Sequence, residues 1–545
     1  MDTDFFKKID TIFLVDNIGM KKNGITTSVI RKTKLMEDKW GYHPIILVAE
    51  YSPDLIWVQI DLKYSEDSSD KLVLNKSSHL VSVYDYFQKR TLQDTSVHTY
   101  SMDEENFTYE KVDENIYKVY QDGFLIRKEY FSVIKDRIKM IDRYDENGQL
   151  DKKVFFDNFG NISKIRIYDK FNKNYYPTEI FFTTDKKRCI EASYTFNSNK
   201  GLDKANELKK LELYNSNGDL LKEFANDGEL AAYFIETVVM VNPEKYYMLV
   251  CESGMHSNAL VSILKPNAFK VQVVHSVFLD DSYNLKSSPQ SFYKYMCENN
   301  SKFDGIVFLT RGERQDFIKK YGDLKNTFVI SHPYYEEIIK EDFSLRNSKR
   351  GVIVSRFDNL KRINLSIDIF KKVVDEIPDA ELWIYGFGLE EKNYKDQIKE
   401  LGLENNIFLK GFTSTPTLEF RRAVFSMMTS IAEGFGLTLM ESIVNGCPAF
   451  SFDIKYGPSD IIKDNETGYL ITDSKRGSFV KGDRSSYKAA EKDIDIFAKK
   501  IINFLQDEEL QKTFSENCYE DAPRFSVDIF LEKWYELMET LYRKR

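Results

Sequence analysis

Two carboxylates, Glu433 and Glu441, stand eight residues apart in the stretch SIAEGFGLTLME. The apolar run Val424–Met428 reads as a strand, and a helix is expected to begin near Gly436. Glu433 then lies in the loop at the carboxyl end of the strand, and Glu441 lies more than a turn along the helix. Gly434 and Gly436 let the backbone approach a ligand closely. The unpaired N–H groups at a helix start can receive phosphate oxygens. A loop carboxylate beside them can accept hydrogen bonds from sugar hydroxyls, and a carboxylate on the helix can take both adjacent hydroxyls of a ribose. The pattern therefore suits a nucleotide-linked sugar. Taken alone, E-x7-E reads first as a helix cap and a solvated helix residue; the second set of residues is what favours a ligand site.

A second set supplies positive charge. In VSRFDNLKRINLSIDIF a strand ends at Ser355, and Arg356 and Lys361 follow in one strand-to-helix loop, five residues apart. Two fixed cations at that position would stabilise charge building up on a departing phosphate. Near the other end of the chain, Gly24 opens a helix just after the first strand, with Asn23 ahead of it. No G-x-G-x-x-G fingerprint is present there, but one glycine in such a turn could still meet a phosphate. His275 follows the strand-like KVQVV. It could reach a sugar hydroxyl, or serve the packing alone.

The elements expected to hold these residues alternate strand and helix. TIFLVD, a helix from about Gly24 and HPIILVAEY make a β-α-β opening, the start of a parallel α/β sheet. From about residue 70 to 225 the texture changes to short aromatic and charged runs with turns near Gly123, Gly148, Gly160 and Gly218. Asn-Gly and Asp-Gly between alternating runs are hairpin signals, so this stretch reads as an antiparallel β insertion with a weak repeat. Parallel α/β texture returns near residue 230, and a second α/β unit starts near Arg350. In that unit DIDIFAKKIINFL places Ile494, Phe497, Ala498, Ile501, Ile502 and Leu505 on one helical face. A last helix capped by Ser526 carries the stripe Phe530, Trp534, Leu537 and Leu541. Two doubly wound domains put ligands at the carboxyl ends of their strands, in a cleft.

Composition narrows the classes. At 545 residues with 42% hydrophobic content, several cores are expected. A net charge of −9 disfavours a broad nucleic-acid face. Five scattered cysteines without a C-x-x-C pair argue against a zinc ribbon or a disulfide framework. No apolar run approaches the roughly 20 residues of a membrane span, and MDTDFFKKID does not look like a leader. A cytoplasmic protein is expected, free or peripheral at the inner face of the membrane. Asp280-Asp281 reads as a polar loop, and no metal ligand set is evident.

In this order, Gly24, His275, Arg356 with Lys361, and Glu433 with Glu441 resemble the retaining GT-B glycosyltransferases of family 4. The resemblance covers about residues 8–50 and 230–545. The large β insertion is similar to that of the bacterial subgroup containing teichoic-acid α-glycosyltransferases and the glycosyltransferases of serine-rich surface proteins. It departs from the family in one place, where Asn23-Gly24 stands for a frequent pair of glycines. The implied fold is α/β GT-B, two Rossmann-like domains facing a cleft. The implied boundaries are 1–69 and 229–345 for the first (acceptor) domain, 70–228 for the insertion, and 346–525 for the nucleotide-sugar domain. Residues 526–545 would be a helix crossing back to the first domain.

The resemblance implies that Arg356 and Lys361 hold the diphosphate, Glu441 the ribose and Glu433 the transferred sugar. The amides of Phe435, Gly436, Leu437 and Thr438 would lie near sugar or phosphate. Gly24 would cover the phosphates, His275 would contact the sugar, and Lys410 would lie near the base. The donor would be UDP-glucose or UDP-N-acetylglucosamine, with no cofactor and no metal. The acceptor would be a wall teichoic-acid polyol phosphate, or alternatively a Ser/Thr-rich surface protein. A third reading is a non-catalytic chaperone or scaffold of the same fold, which would be expected to lose the cations and acids retained here. The aromatic-rich insertion would support a homo-oligomer such as a trimer.

Overall fold

A computed structural model describes residues 3–19, 24–53, 55, 58–59, 62, 79–91, 106–131, 137–172, 174–198, 206–322, 324–476 and 489–544. Asn23 and the expected domain edge near residue 70 lie outside the described residues. The chain divides into two compact units, residues 1–270 and 271–545.

The first unit contains a parallel sheet and an antiparallel one. Strands β1 (Ile9–Val15), β2 (Ile45–Val48), β3 (His79–Ser82) and β14 (Tyr246–Cys251) lie in the order β14-β1-β2-β3, all parallel. The chain leaves β1 toward β2 and β3, then returns on the other side as β14. β1 and β2 are apolar runs, as a sheet buried on both faces requires. The helix Gly24–Trp40 begins where the sequence places it.

Between β3 and β14, ten strands from β4 (Thr108–Asp113) to β13 (Leu220–Phe224) form an antiparallel meander in which each strand pairs with the next. One turn design recurs at three of its hairpins. Asp145, Asp157 and Asn215 each accept two backbone N–H bonds on the side chain, from residues two and four places on. In each, the residue three places on is a glycine with φ between 72° and 90°. Asp122-Gly123 instead makes a two-residue turn with both φ positive, the form that matches strand twist. The antiparallel sheet thus begins later than the composition shift, and His79–Ser82 pairs parallel with β2.

A buried polar knot fastens this sheet to its unit. Arg90, with 3% of its side chain exposed, faces Asp85 at 3.3 Å and Asp157 at 3.7 Å and donates to the Ser163 hydroxyl. Gln88 donates to the carbonyls of Ser163 and Phe182 at 2.7 and 2.9 Å.

The second unit contains the parallel strands β15 (Ala268–Val274; the unit boundary falls inside it), β16 (Gly305–Phe308) and β17 (Thr327–Val329). It also holds a six-stranded parallel sheet. Its strands are β18 (Asn347–Val354), β19 (Glu381–Tyr385), β20 (Ile407–Gly411), β21 (Ala423–Met428), β22 (Ala449–Phe452) and β23 (Gly468–Ile471), in the order β20-β19-β18-β21-β22-β23. The winding reverses between β18 and β21.

Apolar helix faces close over this sheet. Ile494, Phe497, Ala498, Ile501 and Leu505 are buried as the periodicity predicts, Phe504 joins them, and Ile502 is only partly covered. Ser526 caps the helix Val527–Arg543 through the Ile529 amide, and Phe530, Trp534, Leu537 and Leu541 are buried. Leu537 lies 3.5 Å from where a Cβ on Gly305 would stand, so this final helix packs on β16.

Candidate active site

β21 is buried along its whole length, and the chain turns at its carboxyl end into Ser430–Gly436 before the helix Leu437–Val444. Gly436 stands before that helix with φ 95° and ψ 59°, and no side chain caps it. An uncapped start leaves backbone donors available to a ligand. Ser442 holds the helix to the strand by donating to the Ser426 hydroxyl at 2.7 Å.

Lys361 and Glu433, 72 positions apart in sequence, form an ion pair. Both are largely buried, with 21% and 13% of their side chains exposed. Their meeting rests on Arg362, which takes φ 49° immediately before the helix Ile363–Glu376. Its guanidinium donates to the Thr429 carbonyl at 2.5 Å and the Ser430 carbonyl at 3.0 Å. The Thr429 hydroxyl in turn donates to the Arg362 carbonyl at 2.9 Å. The Ile431 amide donates to the Leu360 carbonyl at 2.9 Å. These bonds tie the loop after β18 to the loop after β21. Arg356 shares the first loop but is 76% exposed and faces Asp358 at 3.2 Å.

The backbone of Glu433 is held from the other side as well. Its carbonyl accepts the amides of Tyr456 at 2.7 Å and Gly457 at 3.2 Å, and its amide donates to the Lys455 carbonyl at 3.2 Å. The next residue has no room for a side chain, because a Cβ on Gly434 would stand 2.6 Å from the His275 carbonyl oxygen. The His275 loop therefore lies directly on the loop that carries Glu433. Tyr293 pins it by accepting the His275 amide at 2.7 Å, and the buried Glu313 accepts the Phe278 amide at 3.0 Å. Burial, with nearby Asp316 adding to it, holds the Glu313 carboxyl well above the usual range. The His275 ring stacks on His332 at 5.7 Å, and His332 meets the edge of Phe435 at 5.4 Å.

The structure thus gathers Lys361, Glu433, His275 and Phe435–Thr438. Lys361 and Thr438 both line a recess at the ends of β18 and β21 whose interior is about 20 Å³, room for a water rather than a nucleotide. Glu433, His275, Phe435, Gly436, Leu437, Arg356, Lys410 and Glu441 are not in its lining. Glu441 is half-buried on the helix, close enough to Tyr334 for its charge to help raise that phenol, a shift to about 12 that burial dominates. Lys410 is exposed on β20 with its ammonium 4.2 Å from the centre of the Trp383 ring. Gly24 belongs to the first unit, where a Cβ would meet nothing within 4 Å.

Sequence reasoning passed over Arg362 and His332. The Lys361-Arg362 pair reads as two equivalent cations, and only the left-handed turn and the Thr429 and Ser430 carbonyls distinguish a clamp from a ligand-facing charge.

Two sheet systems of Rossmann type with an antiparallel insertion, and a cation–carboxylate pair beside an uncapped helix at a winding reversal, define a mixed α/β fold of the GT-B glycosyltransferase type. Residues 335–488 match the family "Glycosyl transferases group 1". Over 538 residues the chain is 24% identical to the poly(glycerol-phosphate) alpha-glucosyltransferase of Bacillus subtilis, covering 96% of this chain and 74% of that protein. It is 29% identical over 407 residues to the poly(ribitol-phosphate) alpha-N-acetylglucosaminyltransferase of Staphylococcus aureus, covering 74% of each. Among solved structures it is similar to S. aureus TarM in complex with Fondaparinux, alpha-GlcNAc-glycerol and UDP. The TM-score is 0.75 at 23% identity, over 97% of this chain and 99% of that one.

Proposed function

We propose that the protein is a retaining α-glycosyltransferase of family 4 that moves glucose or N-acetylglucosamine from a UDP-sugar to a hydroxyl of a polyol-phosphate wall polymer. The observation that carries this reading is the Lys361–Glu433 pair beside the uncapped start of Leu437–Val444. The names of the two curated relatives supply the acceptor class.

In this reading the donor diphosphate lies over the amides of Phe435 to Thr438. Lys361 exchanges part of its contact with Glu433 for phosphate oxygens, and exposed Arg356 swings from Asp358 to the same group. Glu433, released from full pairing, accepts hydroxyls of the sugar, with His275 beside it. Glu441 binds the ribose. The bond from the anomeric carbon to the phosphate oxygen breaks with its electron pair going to phosphate. The acceptor oxygen bonds to that carbon on the same face and its proton passes to the departing phosphate. Positive charge fixed where the leaving group becomes more negative lowers the barrier. Gly24, Lys410, the cytoplasmic setting and assembly through the insertion complete the proposal, as do the five segments bounded at 69, 228, 345 and 525. No metal enters it.

The test is a panel of UDP-sugars assayed with purified poly(glycerol phosphate) and poly(ribitol phosphate), with a Ser-rich peptide beside them. Transfer to one polymer that persists in a chelator is expected. Absence of transfer from every UDP-sugar to both polymers overturns the reading.

A further inference from the structure

The first unit repeats the arrangement that makes the second a ligand site. In the six-stranded sheet the winding reverses between β18 and β21, and Lys361 and Glu433 lie beyond the carboxyl ends of those two strands. In the first unit it reverses between β1 and β14. Open α/β sheets bind ligands at such reversals, outside the carboxyl ends of the strands.

Three ionisable side chains converge there from three adjacent strands. Asp16 follows β1, Glu50 follows β2, and His256 closes a short turn after β14. Pairing continues past the strand ends, since the Glu50 amide donates to the Asp16 carbonyl at 2.9 Å and the Glu252 amide to the Leu14 carbonyl at 2.9 Å. That extension sets the side chains next to each other. His256 Nε2 stands 3.2 Å from Asp16 Oδ1 and 3.7 Å from Glu50 Oε1. The histidine is 5% exposed, while the carboxylate side chains are 34% and 39% exposed. His256 Nε2 and Asp16 Oδ1 are buried without a hydrogen bond of proper geometry. Asn17 donates to the other Glu50 oxygen at 3.2 Å. Burial pushes the Asp16 carboxyl up. Against burial, the Glu50 and Asp16 carboxylates hold the His256 imidazole above its ordinary value.

We propose that Asp16, Glu50 and His256 form the subsite that binds the hydroxyl groups of the polyol acceptor, an inference that rests on the function proposed above. Two carboxylates around one imidazole leave net negative charge whether or not the ring carries a second proton. They repel the phosphates of a polyanionic chain and accept hydrogen bonds from its hydroxyls, so the hydroxyl face of the polymer is the one selected. Two partly exposed carboxylates from neighbouring strands match adjacent hydroxyls better than an isolated one. His256, buried within 3.2 Å of Asp16 and 3.7 Å of Glu50, holds the two carboxylates side by side.

The test is steady-state transfer by Asp16→Asn and Glu50→Gln, with poly(ribitol phosphate) and poly(glycerol phosphate) as acceptors. KM for the polymer is expected to rise about tenfold while KM for the UDP-sugar stays within twofold. An unchanged polymer KM in both variants, with the wild type active, overturns the subsite and leaves the proposed function standing. A wild type inactive with every donor and acceptor overturns the function itself. If the variants misfold, NMR of the wild type decides. The chain has 6 histidines, and a polyol-phosphate oligomer is expected to shift the His256 imidazole signals. Unmoved signals overturn the proposal. So does stoichiometric binding of Mn²⁺ or Zn²⁺ that His256→Gln abolishes, since the three ligand atoms lie within 4.8 Å of one another and would then be a cation site.

Discussion

In the ten-stranded sheet of the first unit every strand pairs with its neighbour in sequence, whereas in the six-stranded sheet β18 pairs with β21 across two intervening strands. The first is assembled from local hairpins, three of them closed by an Asp or Asn side chain that bonds its own turn. The second cannot form a pair without crossing helices, and the candidate site sits at the strand end where the crossings change direction. Non-local closure brings Lys361 to Glu433, and it leaves that meeting dependent on a few residues such as Arg362.

The comparison breaks most clearly at the site. Lys361→Ala should lower kcat/KM for transfer by about 10³-fold, a loss typical of removing a group that stabilises developing charge, and Glu441→Ala should lower it through weakened ribose binding, both with little change in Tm. Full activity in either variant would remove that residue from the machinery. The next largest effect belongs to the knot under the antiparallel sheet. Arg90→Ala strands Asp85 and Asp157 in a buried setting and should cost about 3–5 kcal/mol, read as a lower urea midpoint. A wild-type midpoint would mean that the sheet is held by its apolar contacts alone.

Arg362→Ala sharpens the contrast. It removes donors from the buried Thr429 and Ser430 carbonyls, at about 1–3 kcal/mol, and should lower kcat/KM about tenfold by loosening the Lys361–Glu433 pair. Added guanidinium is expected to restore part of the activity. A change in stability with unaltered kinetics would make Arg362 purely structural.

The smallest effects test the turns. Gly160 has φ 85° and Lys186 has φ 62° at the left-handed position of their turns. Gly160→Ala should destabilise by about 1 kcal/mol and Lys186→Gly should stabilise by about the same amount, as seen in opposite shifts of Tm. Equal signs would show that the two turns are not equivalent.

These turns also mark how far the sequence could be read. Asp157-Asn158-Phe159-Gly160 announces itself, because only short polar side chains bond their own backbone and glycine enters the left-handed region freely. The turn at Thr183–Lys187 carries no glycine and no Asn-Gly pair, so it was silent, although the Thr183 hydroxyl accepts the Lys187 amide at 3.0 Å. His79–Ser82 was hidden for another reason. A four-residue strand next to a composition shift has too little periodicity to show which sheet it joins. At the candidate site the residue types and the loops that carry them were legible. That Arg356 faces solvent and that Lys410 stacks on Trp383 was not, since neither long side chain's direction is set by its own segment.

By itself the sequence determined the alternation of apolar strands and amphipathic helices, the antiparallel character of the middle of the chain, and the loops that hold Lys361, Glu433 and His275. Periodicity and turn chemistry act over a few residues, so they can be read over a few residues. The tertiary structure decided which of those loops touch. The Lys361–Glu433 pair, the His275 backbone against Gly434, and the Asp16–Glu50–His256 cluster all depend on which strand ends lie side by side. Strand order is set by packing summed over whole sheets, and no local pattern encodes it.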